Sequence, residues 1–143
     1  MDDFMISDKE EFLNNLIDNA SNCHVEPSVI HGYGLFASKD FKWGELVVDY
    51  SIQFERWRYL KFGELTEEQI EREWFVGVTE DTCITSDDYS KFSFLNHSRD
   101  ANCICDFTKF LINANKEIKK GEEITIDYRT EPRSPTIPVK KWF

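Results

Sequence analysis

One candidate for a chemical role in this 143-residue sequence is a run of three polar residues, Asn96, His97 and Ser98. They directly follow Phe94 and Leu95, which are expected to be buried, so the polar groups need hydrogen-bond partners. Two interpretations meet that need. Asn96 and Ser98 can cap a turn while His97 bonds a backbone carbonyl, or the three side chains can face a ligand.

A second candidate is the pair of glycines in His31-Gly32-Tyr33-Gly34, which stands just before an apolar run. Glycine lets a backbone adopt positive φ or approach a ligand closely. The pair lacks the third glycine and the strand-then-helix setting of a dinucleotide-binding fingerprint, which argues against that class of site. On its own, such a pair is more often a plain turn.

The third candidate is Tyr128, which ends a strand-like run that follows the charged turn Lys119 to Glu122. A phenol hydroxyl both donates and accepts hydrogen bonds. Because its ordinary pKa is about 10, it can orient a reactant near neutral pH but is a poor general base.

The sequence contains, in this order, the motifs GYGLF, GELVVDY, FLNHS and GEEITIDY. Their order and separations resemble those of the SET-domain protein lysine methyltransferases, and the resemblance spans about Val25 to Tyr128. It implies transfer of methyl groups from S-adenosylmethionine to a lysine side chain. It also implies a mainly β, α+β fold in which several small sheets surround a knot-like crossing of the C-terminal segment.

Carried over residue by residue, the resemblance assigns roles to individual side chains. It places the cofactor against the backbone of residues 31–34 and in contact with Asn96, His97 and Tyr128. Tyr128 matches the catalytic tyrosine of the family. Tyr50 matches an aromatic that lines the lysine channel in the catalytic site, although in this sequence it can equally be a half-buried strand residue.

The reaction makes modest demands on the protein. Methyl transfer from a sulfonium to an amine is an in-line displacement, which needs no metal and depends on holding nitrogen, carbon and sulfur on one axis. The amine must be neutral to attack. A narrow aromatic channel that excludes water lowers the pKa of a lysine, and the positive sulfonium lowers it further. Tyr128 would orient the amine through its hydroxyl.

The cysteines differ from those of many family members, which carry a cysteine directly after Asn-His-Ser and others after the catalytic tyrosine, where they bind zinc and close the lysine channel. Here Arg99 follows the motif and no cysteine follows Tyr128, so we expect no metal. Cys103 and Cys105 could join His97 as ligands, but a second pair is missing, and buried thiols are the favoured interpretation.

Without zinc, another group has to close the channel, and Trp142 and Phe143 are the available candidates. Three prolines in the tail that precedes them restrict its conformations. Zinc-free SET enzymes use C-terminal aromatics in a similar way. The alternative is that the two rings only fill a surface groove.

Two further positions depart from the family pattern. Ser93 replaces an arginine, which alters packing on the cofactor side. Ile126, expected to line the substrate channel, stands where an aromatic often influences how many methyl groups are added. A smaller aliphatic side chain would leave room for further methylation.

The elements that must position these residues are short. A capping box of Ser7 and Glu10 ahead of an apolar stripe predicts a helix over residues 7–20. A second capping box, Thr66 with Gln69, predicts a helix that runs to Phe75.

Apolar runs between turns predict strands. These are Glu45 to Tyr50, Thr82 to Thr85, Asn102 to Phe107, Phe110 to Ala114 and Glu123 to Tyr128. The predicted organisation is a helical extension (1–24), a core (25–128) with a helical insert at about 56–80, and a tail (129–143) that closes the site.

Composition fits one domain with an aromatic core, since 41% of residues are apolar and 12 are Phe, 5 Tyr and 4 Trp. The net charge of −10 argues against direct binding of nucleic acid. It fits either solubility alone or attraction of a basic substrate. Four cysteines without an apolar leader, and no long apolar run, predict an intracellular protein, nuclear or cytoplasmic, that binds no membrane.

The sequence therefore predicts a protein lysine N-methyltransferase that uses S-adenosylmethionine and a lysine-bearing, basic protein or peptide, such as a histone. One alternative is a non-catalytic SET-like module that binds the cofactor or a basic peptide. Another is a β-rich interaction domain, which would require four coincidental motifs. The sequence names neither the substrate protein nor its lysine.

Overall fold

The computed structural model describes residues 12–13, 15–51 and 56–143. Three small sheets dominate the fold, and the helices are short. No helix among the described residues is long and apolar enough to cross a membrane. The predicted mainly β, α+β class is confirmed.

The first sheet has four strands in the order β1-β2-β10-β7. They are β1 (Cys23–Pro27), β2 (Tyr33–Ala37), β10 (Glu123–Ile126) and β7 (Asn96–His97). The last strand of the chain lies between β2 and β7 and runs parallel to β7. This crossover brings three motifs that are far apart in sequence into one sheet.

The second sheet has the order β3-β9-β8 and is antiparallel. Its strands are β3 (Leu46–Asp49), β8 (Cys103–Asp106) and β9 (Leu111–Ala114). All three fall within predicted strands. The fully buried side chains of Val48 and Ile112 join Leu35 and Ile124 of the first sheet in one apolar core.

The third sheet has two strands within the predicted helical insert and one directly after it. Its strands are β4 (Arg58–Lys61), β5 (Val76–Gly77) and β6 (Thr82–Thr85), in the order β4-β6-β5. The insert holds one five-residue helix, α1 (Glu67–Glu71), capped by Thr66 and Gln69 as predicted. The predicted continuation to Phe75 is wrong, because the chain leaves the helix at Arg72 and Glu73 has a φ of +56°.

The N-terminal helix prediction is wrong for residues 15–20, while residues 7–11 and 14 lie outside the described residues. Phe12 and Leu13 are helical, but Ile17 forms a β-bridge with Ser90. The side chain of Asp18 also accepts a hydrogen bond from the Ala20 backbone, a local turn that competes with helix. These contacts override the amphipathic pattern.

Candidate active site

The parallel pairing of β7 with β10 assembles the centre of the site. Asn96 pairs with Thr125 and His97 with Ile126. The Ser98 backbone N–H then donates to the Ile126 carbonyl at 3.1 Å. Because Tyr128 follows β10 by two residues, this register sets it beside His97, with 5.1 Å between their ring centroids.

The Asn96 side chain holds the glycine-containing loop against this sheet. Its Nδ2 lies 3.1 Å from the His31 carbonyl and 3.2 Å from the Tyr33 carbonyl. The same nitrogen lies 2.8 Å from Glu123 Oε2 and 3.2 Å from Ser28 Oγ. The amide nitrogen of Asn96 thus bonds to protein groups and holds the loop in position.

The two loop glycines serve different purposes. Gly32 has a φ of +48°, which a turn requires and which other residues rarely adopt. At Gly34, an added Cβ would lie 2.4 Å from Glu123 Oε2 and 3.1 Å from Ser28 Cβ. The close approach that the sequence indicated is therefore made by a protein carboxylate, which also accepts a 2.6 Å hydrogen bond from Ser28.

Ser28 and Glu123 are site residues that the sequence interpretation missed. Ser28 lies outside the four motifs, and Glu123 lies in the motif GEEITIDY but its side chain has no predicted role. A usable signal for Glu123 is that it follows Glu122 at the start of a strand, since successive strand side chains point to opposite faces and only one of these two carboxylates can share a face with Asn96.

His97 is buried, with its side chain 6% exposed. Its Nδ1 accepts a hydrogen bond from the Tyr128 backbone N–H at 3.0 Å, so in the neutral ring the proton is on Nε2. Burial lowers the pKa of His97 below its ordinary value, although Asp127, 3.8 Å from Nδ1, acts in the opposite direction. Nε2 has no hydrogen-bond partner among the described residues, so it can donate to a ligand.

The Tyr128 side chain lies between the Asn96-His97 strand and the tail. Its hydroxyl donates a hydrogen bond to the Leu95 carbonyl. The Phe143 ring lies 5.3 Å from the Tyr128 ring and 5.6 Å from the imidazole of His97. Trp142 lies 6.0 Å from both of these rings. The structure thus places the tail aromatics on the site.

A cavity of about 670 Å³ opens beside these residues. Six predicted site residues line it: His31, Asn96, His97, Ile126, Tyr128 and Trp142. Its volume lies within the roughly 300 to 1,000 Å³ of small-molecule sites. Aromatic rings that were not predicted, including Trp57, Trp74 and Phe92, form part of the wall.

The other predicted residues do not line this cavity. Gly32, Tyr33 and Gly34 form its neighbouring loop, and Phe143 packs behind Trp142. Tyr50 is fully buried, its ring stacks on Phe92 at 4.2 Å, and its hydroxyl lies 3.3 Å from Cys105 Sγ. Burial raises the pKa of Tyr50. The structure therefore does not bring Tyr50 to the cavity wall.

The four cysteines are free thiols, and three of them are buried. Burial raises the pKa of both Cys103 and Cys105 to about 12, so they stay protonated near neutral pH. Among the described residues, no three His, Cys, Asp or Glu side chains cluster in a way that could hold a metal ion.

Comparisons with known proteins match this chain to one family. The SET domain family matches residues 32–129. The chain is 30% identical over 124 residues to the H3 lysine-4-specific histone-lysine N-methyltransferase of Schizosaccharomyces pombe, covering 80% of this chain and 14% of that protein. It is 32% identical over 128 residues to the histone-lysine N-methyltransferase set1 of Dictyostelium discoideum, covering 79% and 8%. It thus spans a small part of these relatives.

A solved structure shares the fold. It is that of a Plasmodium falciparum protein assigned as a histone methyltransferase, with a TM-score of 0.54 and 17% identity, covering 85% of this chain and 97% of that one. The predicted resemblance is confirmed by the match over residues 32–129. The chain belongs to the SET-domain family.

Proposed function

We propose that this domain transfers a methyl group from S-adenosylmethionine to the side-chain nitrogen of a lysine in a basic protein. The observation that carries the proposal is the pairing of Ile126 with His97, because it sets Tyr128 and a buried imidazole in the wall of one cavity. Family membership and the activity named for the two relatives support it.

The volume of the cavity suits the cofactor, and so does the polar imidazole of His97 beside it. His97 Nε2 would donate a hydrogen bond to it, since this buried nitrogen has no partner among the described residues. The backbone of residues 31–34, which Asn96 holds in place, would form the rest of the cofactor-binding site. When bound, the cofactor supplies an electrophilic methyl group on a sulfonium.

Tyr128 would orient the attacking amine. Because its hydroxyl donates to the Leu95 carbonyl, the direction of its O–H bond is fixed, and an approaching amine meets the oxygen as an acceptor. Trp57, Trp74 and Phe92 would exclude water from the reacting groups. Exclusion of water lowers the pKa of the lysine and so favours its neutral, nucleophilic form.

The charge of the cavity wall supports a basic substrate. Its charged side chains, apart from histidine, are five carboxylates and two cations: Glu71, Glu73, Asp87, Asp88, Glu131, Arg72 and Lys140. A segment rich in lysine and arginine complements this surplus of negative charge. Histone tails are the first substrates to test, because the two relatives are named as histone-lysine methyltransferases. A nuclear or cytoplasmic location is part of this proposal.

One observation favours a different function, a non-catalytic SET module that binds the cofactor or a basic peptide. Tyr50, expected to line the lysine channel, is fully buried and stacked on Phe92. A domain that could not open this stack would bind without turnover. Calorimetry with S-adenosylmethionine, run beside an assay for methyl transfer, separates the two functions.

The test is incubation with labelled S-adenosylmethionine and a panel of histones and other basic proteins, followed by mass spectrometric mapping of the modified lysine. Tyr128→Phe should lower turnover about 100-fold, as loss of one positioned active-site hydroxyl does in other enzymes. Tyr59→Phe is the matched control, because Tyr59 is exposed and lies outside the cavity. Cofactor binding without transfer to any protein would favour the non-catalytic module.

A further inference from the structure

Glu131 is a buried carboxylate that the proposed reaction does not yet use. It follows the 3₁₀ turn Tyr128–Thr130, and its backbone N–H donates to the Tyr128 carbonyl at 3.2 Å. In such a turn the side chains of residues i and i+3 lie on the same side. Glu131 and Tyr128 accordingly line the same cavity.

The surroundings of Glu131 contain more negative than positive charge. The guanidinium of Arg133 lies 2.9 Å from the Glu131 carboxylate and 2.6 Å from that of Glu73. The side chain of Arg133 is 8% exposed and that of Glu131 14%. Two carboxylates thus share one buried guanidinium, and one negative charge is left over.

The cationic side chains in the cavity wall have other partners. Lys140 Nζ lies 3.5 Å from Glu71 Oε2 and donates to the Glu71 carbonyl at 3.2 Å. Arg72 pairs with Glu68 at 3.3 Å and packs over the ring of Trp74. Neither pair neutralises the extra charge at Arg133.

A charge buried without full compensation is costly to a fold, and such groups in a cleft are candidates for function. Burial raises the pKa of Glu131 to about 7, against the attraction of Arg133, and the charge of Glu73 adds to the rise. The cost is removed when a cation enters the cavity. His97, which lines the same cavity, has a second buried polar group, Nε2, with no hydrogen-bond partner among the described residues.

We propose that the carboxylate of Glu131 receives the ammonium group of the substrate lysine beside Tyr128 and accepts its proton. This inference rests on the proposed function for the identity of the cation. The N–H bond of the ammonium breaks, the proton passes to a carboxylate oxygen, and the neutral amine forms. The amine nitrogen then bonds to the methyl carbon while the carbon–sulfur bond breaks, its electron pair stays on sulfur, and the Glu131 proton later leaves to solvent.

Three titratable groups near Glu131 do not change charge in the same range. The thiols of Cys83 and Cys105 and the hydroxyl of Tyr50 are influenced by Glu131, and burial raises the pKa of all three. They remain neutral between pH 6 and 8. The imidazoles of His31 and His97 also line the cavity, so the part of a change in ammonium binding that Glu131→Gln removes is what reports on Glu131, with its charged neighbours Arg133 and Glu73.

A binding experiment that needs no turnover tests the inference. The probes are an arginine-rich ten-residue peptide with one central lysine and the same peptide with norleucine, which replaces the ammonium by a methyl group. At pH 8, the full chain should prefer lysine. Glu131→Gln, which keeps an acceptor for Arg133, should lower the ratio of the two affinities about tenfold or more.

Three results would overturn the inference: no preference for lysine in the unaltered protein, the same preference in Glu131→Gln, or a preference that does not weaken between pH 8 and 6. The first and last measurements use the unaltered protein alone, so they can overturn the inference even where the variant fails to fold. Glu73→Gln offers a further check, because removal of the second carboxylate should shift the loss of preference to lower pH.

The pH profile of kcat/KM tests the proton transfer. In the unaltered protein, kcat/KM should rise through about pH 7 as Glu131 ionises, and Glu131→Gln should lose this limb. An unchanged limb in the variant contradicts the transfer. Failure of methyl transfer by the unaltered protein would instead count against the proposed function, and the peptide ratio would still report on Glu131.

Discussion

The guanidinium of Arg99 donates two hydrogen bonds to the main-chain oxygen of Phe143, from Nε at 2.9 Å and from Nη2 at 2.6 Å. Arg99 directly follows the Asn96-His97-Ser98 segment, so this pair fastens the tail to the centre of the site. It stands where many SET enzymes use a zinc-binding cysteine for the same purpose. A planar, two-pronged donor thus takes the structural place of a metal ligand.

Arg99→Gln should loosen the tail, because a single amide cannot reproduce the two parallel donors. We expect faster proteolysis after residue 130 and a cofactor affinity lowered about tenfold, which limited digestion and calorimetry would measure. Lys116→Gln is the control, since it removes a neighbouring cation whose partner, Asp100, is exposed. Equal protection of the tail in both variants would contradict the role given to Arg99.

The two tail aromatics should differ in their effects. Phe143 is buried against His97 and Tyr128, whereas Trp142 is 62% exposed and lines the cavity. Phe143→Ala should lower the free energy of unfolding by about 3 kcal/mol. Trp142→Ala should leave stability within about 1 kcal/mol but weaken cofactor binding.

We would measure stability by denaturant titration and cofactor binding by calorimetry. The proteins compared are the two variants and a chain that lacks residues 139–143. The shortened chain should lose most of its activity if the tail closes the site. Full activity in it would leave only the groove-filling interpretation of Trp142 and Phe143.

Gly34→Ala should disturb the cofactor loop, because the added Cβ would lie 2.4 Å from Glu123 Oε2. Glu123 also bonds Asn96 and Ser28, so its displacement would release the loop. We expect weaker binding of S-adenosylmethionine, by about tenfold, together with a lower melting temperature. Gly63→Ala is the matched control, since nothing lies within 4 Å of its added Cβ. Similar behaviour of the two variants would refute the steric argument.

Much of the β structure could be predicted from local patterns. β6 has its predicted bounds, Thr82–Thr85, because an apolar run between turns determines it. β10 ends at Ile126, two residues earlier than predicted, because the Asp127 carboxylate accepts the Arg129 backbone N–H and starts a 3₁₀ turn. The sequence pattern alone did not reveal that cap.

Long-range contacts explain what local patterns missed. The helix predicted over 15–20 gives way to a bridge between Ile17 and Ser90. The family resemblance grouped Asn96, His97 and Tyr128, but the periodicity of the chain could not show that β7 lies parallel to β10. The burial of Glu131 could not be predicted from local sequence. Glu131 and Glu73 are 58 positions apart, and only the fold brings both carboxylates to Arg133.

Glu131 also predicts how stability depends on pH. Burial raises its pKa to about 7 from the ordinary 4.5, so the folded state disfavours the carboxylate. The contribution of Glu131 to stability is therefore fully present below pH 4.5 and is lost as the pH rises through 7. Glutamine is neutral at every pH. The free energy of unfolding of Glu131→Gln, relative to that of the unaltered protein, should therefore rise by about 2 kcal/mol between pH 5 and pH 8.

Urea titrations of both proteins at the two pH values measure that gain in stability. Glu117→Gln, at a side chain 66% exposed, should show none. A gain that is absent for Glu131→Gln as well would mean that the cavity wall holds this carboxylate without strain, and the argument for a cation-binding site there would lose its energetic basis.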